Sequence, residues 1–107
     1  MRKKLPHRRP SVTRTFETTS DRYHISFGID PEDQQAREIF IHGSKIGSDL
    51  EILLDDASII LSLALQHGLP LSQLMHSLNT DREEEGKSVL AAAIKIVEEE
   101  MTSEKGF

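Results

Sequence analysis

The sequence predicts an α+β fold: a three-stranded antiparallel sheet followed by three helices, with a long apolar helix packed on the sheet. Two patterns predict it. Residues 11–42 hold three short segments of strand-like composition joined by polar links, and from residue 48 onward apolar residues recur at intervals of three and four. The Gly/Ser turn at residues 43–48 separates the two regimes.

The first strand, residues 11–18, is rich in Thr and sets Val12 and Phe16 on one face. Residues 19–21 are a polar turn. Residues 22–29 alternate most clearly, with Tyr23, Ile25, Phe27 and Ile29 on one side and His24, Ser26 and Gly28 on the other, as in a half-buried strand. Residues 30–35 form a turn that Pro31 initiates. Residues 37–42 give the third strand, Ile39 and Ile41 opposite Phe40.

The first helix opens at Ser48, which forms a Ser-x-x-Glu capping box with Glu51, and it stops at Gly68 with Pro70 beyond. Leu50, Leu53, Leu54, Ala57, Ile60, Leu61, Ala64 and Leu65 make one broad apolar face, widened by Ile52, Ile59 and Leu63. Glu51, Asp55, Ser58, Ser62 and Gln66 recur as a narrow polar stripe. A helix this apolar belongs in a core or a subunit interface. A short helix over residues 70–78 follows, with Leu71, Leu74, Met75 and Leu78 at i, i+3, i+4, i+7. A last helix over residues 87–101 buries Val89, Leu90, Ala93, Ile96 and Val97.

At 107 residues the chain is one domain. We expect a flexible arm at 1–10, the domain at 11–101 and a mobile tail at 102–107. No apolar run approaches the roughly 18 residues of a membrane span, and the basic N-terminus lacks the apolar region of a secretory signal. With no cysteine, disulfides, thiolate metal sites and thiol chemistry are excluded, and a cytoplasmic protein is expected. Of the 13 Lys and Arg residues, six lie in residues 1–14, whereas all 18 acidic residues follow them. The cations Arg2, Lys3, Lys4, Arg8 and Arg9 therefore form a basic arm on an acidic body, a pattern that flags nucleic acid or an acidic partner.

Chemistry has one candidate locus, the turn containing Gly43, Ser44, Lys45, Gly47 and Ser48. Glycines permit close backbone approach, helix N-terminal donors point outward, and Lys45 adds charge, so the turn could hold an anion or nucleotide. It is not a P-loop, because Lys45 precedes the second glycine. The competing reading is structural: Ser48 and Glu51 satisfy the helix donors, and Asp49 repels phosphate. His24 and His42 fall on strands and could share a face, but no third ligand stands at fixed spacing, so no metal or cofactor is expected. Asp55 and Asp56 are adjacent on a helix and diverge by about 100°, so they do not form a catalytic dyad.

The residues Leu5-Pro-His-Arg-Arg-Pro-Ser-Val-Thr13, Glu38-Ile-Phe-Ile41, Gly43-Ser-Lys-Ile-Gly-Ser-Asp-Leu50 and Leu61-Ser-Leu-Ala-Leu-Gln-His-Gly-Leu-Pro-Leu71, in that order and spacing, resemble the TSCPD domain family. That domain accompanies some vitamin B12-dependent ribonucleotide reductases and also stands alone. The resemblance spans residues 5–78. It implies an accessory or interaction module, with a ribonucleotide reductase subunit as a candidate partner, rather than a reductase. The family's Cys-bearing turn after the first strand is here Thr18-Thr-Ser-Asp21, so any cysteine role lapses. The sequence thus supports a non-catalytic, homodimeric module. The alternatives are a nucleic-acid-associated protein acting through the basic arm and a small enzyme acting on a phosphorylated substrate through His42, Ser44 and Lys45.

Overall fold

The computed structural model describes residues 2, 4–18, 21–43, 47–78 and 88–105. Strands β1 (Ser11–Glu17), β2 (Arg22–Ile29) and β3 (Ala36–His42) precede helices α1 (Asp49–Gln66), α2 (Leu71–Ser77) and α3 (Val89–Lys105). The strands form one antiparallel sheet in the order β1-β2-β3. This is the α+β arrangement read from the sequence.

Period-two alternation does in β2 what it predicts. Tyr23, Ile25 and Phe27 are buried and stand opposite Phe16, Ile41 and Ile39 in register, so one face of the sheet is apolar except at Arg14, which stands beside Ile25 on β1. Phe16 stacks on Tyr23 with ring centroids 5.5 Å apart. Ala93, Ile94, Val97 and Met101 of α3 complete this core together with Leu54, Leu61 and Leu65 of α1. Arg14 ties β1 to α3 through two bonds to the Glu100 carboxylate, 2.9 and 3.0 Å long. Ser88 caps α3, its hydroxyl accepting from the Ala91 amide. The β2–β3 turn closes on buried Asp30, whose Oδ1 accepts from the Glu32 amide while its backbone exchanges bonds with Gln34 and Gln35.

Helix α1 differs from its sequence reading in which side it turns inward. It lies along β3, and the residues facing that strand are polar. The Ser62 hydroxyl accepts from the Ile39 amide (3.0 Å) and donates to the Ile39 carbonyl (3.1 Å). Ser58 accepts from the Ile41 amide (3.1 Å), and the Gln66 side-chain amide donates to the Arg37 carbonyl (3.2 Å). Ser58, Ser62 and Gln66 are all buried. The free edge of the sheet demands hydrogen-bond partners, and these side chains supply them. The helix is thereby rotated by roughly a quarter turn from the apolar-inward orientation. Leu54, Leu61 and Leu65 stay buried, but Leu50, Leu53 and Ile60, assigned to the same face by periodicity, are exposed. Ile52, Ile59 and Leu63 are exposed beside them.

Glycine fixes the passage from β3 into α1. Gly43 has φ +125°, and a Cβ there would come within 2.6 Å of the Arg22 carbonyl oxygen and 2.9 Å of the Tyr23 Cα. Gly47 has φ +78° but faces open space.

Two outcomes follow for stability, read by urea denaturation. Ser62→Ala should cost about 1–3 kcal/mol, since it orphans both polar groups of Ile39. Asp55→Ala, on the exposed part of the same stripe, should stay within about 0.5 kcal/mol; equal losses would contradict edge capping. Gly43→Ala should cost more than about 3 kcal/mol, adding a backbone clash to a conformation nearly confined to glycine. Gly47→Ala should cost only about 1–2 kcal/mol, and the reverse ranking would refute the contact with Arg22.

Candidate functional site

The sequence locates one locus, the turn between β3 and α1. Of its residues, Gly43, Gly47 and Ser48 belong to the described structure, while Ser44 and Lys45 lie outside the described residues. Ser48 is the N-cap, its side chain accepting from the Glu51 amide at 3.1 Å. Glu51 reaches back to the Gly47 amide, also at 3.1 Å, one residue beyond the position of a standard capping box. Two donors that an anion would need are thus taken, one of them by a carboxylate. Asp49 is exposed in the first helical turn and adds negative charge. An anion bound here would have to displace Glu51 from Gly47.

The N-terminal arm is engaged with the domain at two points. Arg9 pairs with Glu38 (Nε to Oε1, 2.6 Å) and donates from Nη1 to the Pro6 carbonyl (2.7 Å). The Glu38 side chain lies so close over Gly28 that a Cβ at that position would collide with it. Arg2 donates to the Gln66 side-chain oxygen at 2.5 Å, on the same amide that reaches β3. Lys4 and Arg8 are exposed, and Lys3 lies outside the described residues. The arm residues thus contact two neighbouring points, the start of β3 and the end of α1. Phosphate binding through Arg2 and Arg9 would first have to break these contacts.

The sheet face turned away from the core presents His24 and His42 as a cross-strand pair, beside Ser26 and half-buried Phe40. Thr15 Oγ1 lies 3.0 Å from His24 Nδ1. Among the described residues, no three His, Asp or Glu side chains gather into a metal-ligating set. Asp55 and Asp56 are both exposed.

One feature escaped sequence reasoning. A cleft of about 340 Å³ opens between the start of β3, the turn after α1 and the end of α3, lined by Arg37, Leu65, Gly68, Pro70, Glu98 and Met101. Arg37 donates from Nη1 to the Leu65 carbonyl (2.8 Å) and from Nη2 to Asp33 (2.7 Å). It places a cation at the C-terminus of α1, whose last turn carries no basic residue. Only the Gly68-Leu-Pro70 break hinted at a turn in this place. No helix among the described residues is long and apolar enough to cross a membrane.

The chain is similar to the vitamin B12-dependent ribonucleotide reductase of Streptantibioticus cattleyicolor, 37% identical over 71 residues, which is 66% of this chain and 12% of that protein. The reductase of Streptomyces coelicolor is likewise 37% identical over 71 residues, 66% of this chain and 7% of that protein. That of Rhodopirellula baltica is 31% identical over 81 residues, 76% of this chain and 8% of that protein. The chain therefore corresponds to a small part of each enzyme. No solved structure matches significantly. The model of the TSCPD domain matches residues 1–101, nearly the whole sequence, and the chain accordingly belongs to the TSCPD domain family.

Proposed function

We propose that this protein is a non-catalytic, cytoplasmic accessory module that works by contacting other proteins and associates with a ribonucleotide reductase. The observation that carries the contact-module reading is the outward apolar side of α1, where Leu53 is 62% exposed and Ile60 is 69% exposed. A contiguous apolar surface of this kind on a small domain is a contact surface. Kinship with a segment of vitamin B12-dependent reductases supplies the candidate partner. The open sheet face, with Phe40 between the His24–His42 pair and Glu38, offers a second surface for such contacts. The polar groups at the β3–α1 turn support the same reading, because Gly47, Ser48 and Glu51 are spent on one another.

A tagged full-length chain, exposed to nuclease-treated native lysate, should recover a ribonucleotide reductase subunit identifiable by mass spectrometry. Lys45→Ala should recover it equally well, since the proposed contact does not run through the turn. Recovery of no reductase subunit would overturn the association. Retention of protected nucleic acid, lost on raising salt and on deleting residues 1–9, would overturn it in favour of the basic arm.

A further inference from the structure

The outward face of α1 has a pattern that names its occupant. Asp56, Ile60, Leu63 and His67 follow one another at i, i+4, i+7 and i+11, so they form a single stripe along the side opposite β3. Leu53, Ile52 and Ile59 flank the stripe, each more than half exposed. The stripe is apolar in the middle, acidic toward the N-terminus and carries an imidazole at the C-terminal cap.

We propose that two copies of this chain pair antiparallel through α1, about a two-fold axis passing between Ile60 and Leu63. That axis sets Ile60 against Leu63 of the second copy, and the symmetric contact repeats it. It also sets Asp56 opposite His67 of the second copy, twice, because both lie equally far from the axis along the helix. Leu53 then overlies the turn at Pro70 of the other copy. A two-fold interface must be complementary to itself, which this order of side chains satisfies. Register is set by charge: moving the axis about one and a half turns toward the N-terminus would set the two Asp56 carboxylates face to face.

Area argues for the same occupant. A stable interface covers about 800 Å² per partner, of which about 60% is apolar. The five exposed side chains of this face, Ile52, Leu53, Ile59, Ile60 and Leu63, offer on the order of 500 Å², close to the apolar share of such an interface. This pairing deepens the contact-module reading by naming what covers α1, and it leaves the open sheet face for the reductase.

The purified full-length chain should sediment with the mass of two chains at micromolar concentration, against 12.1 kDa for one. Ile60→Asp should weaken the dimer at least about a hundredfold while leaving the far-UV spectrum unchanged, as suits a solvent-facing position. Asp56→Lys should weaken it about tenfold, and Asp56→Lys combined with His67→Glu should restore it. Because the chain has no cysteine, register can be read directly: an equimolar mix of I60C and L63C should oxidise to a cross-linked dimer faster than either variant alone.

A protein that is monomeric throughout, or a dimer insensitive to both Ile60→Asp and Asp56→Lys, would overturn the pairing. The two proposals separate cleanly. A monomer that still captures the reductase overturns the pairing alone, and a dimer that captures none overturns the reductase association alone.

Discussion

The free edge of β3 is the constraint on which this structure depends. A three-stranded sheet has two edges, and an edge left open exposes a row of unpaired amides and carbonyls to any passing strand. Here Ser58, Ser62 and Gln66 occupy that row, with Ser62 giving and taking a hydrogen bond at Ile39 as a neighbouring strand residue would. The fit has a metric basis. Residues four apart on a helix rise about 6.0 Å, and residues two apart on a strand rise about 6.8 Å. Ser58, Ser62 and Gln66 can therefore track Ile41, Ile39 and Arg37 in step. The longer Gln side chain takes up the mismatch that accumulates by the third contact.

Once the polar stripe faces the strand, much else follows. The apolar residues next to it, Leu54, Leu61 and Leu65, enter the core beside Ile39 and Ile41. Those on the far side cannot. The end of α1 is held by the same logic: Arg37 bonds the Leu65 carbonyl, while Gln66 joins the Arg37 carbonyl to Arg2. Arg2, the start of β3 and the last turn of the helix thus meet in one polar knot.

Much of this fold was legible in the sequence, and the gaps have a physical cause. Strand β2 was readable because Tyr23, Ile25, Phe27 and Ile29 are buried while Arg22 and His24 are exposed and Ser26 is half-buried. Gly28, under the Glu38 side chain, is the one break in the alternation. The start of α1 was readable from Ser48 and Glu51, whose capping chemistry is local. The orientation of α1 was not readable, because periodicity equates polar with solvent and apolar with core. That equation fails where a polar side chain replaces a strand. The recurrence of Ser58, Ser62 and Gln66 every four residues was the available sign, and it differs from a solvated stripe in using neutral hydroxyl and amide groups rather than charges. At the candidate turn, the bond from the Glu51 amide to Ser48 was anticipated by the capping motif, whereas the return bond of Glu51 goes to Gly47, one residue beyond the amide the motif names. The partners of Arg2 and Arg9 were not, since contacts between residues 2 and 66, or 9 and 38, leave no local pattern.

The outward side of α1 is harder to explain by folding alone. Ile52, Leu53, Ile59, Ile60 and Leu63 contribute little to the core of a single chain, because each stays at least a third exposed. Lys, Glu, Gln or Arg at these positions would serve the helix as well or better, since their helix propensities match or exceed those of Leu and Ile. They would also carry no penalty in water, whereas each Leu or Ile forgoes roughly 1.5–3 kcal/mol that full burial would provide. Sheet-edge capping dictates the inner side of α1 but places no demand on the outer one. The apolar residues there answer to a second surface, and their arrangement between Asp56 and His67 is the arrangement that an antiparallel copy of the same helix would complement.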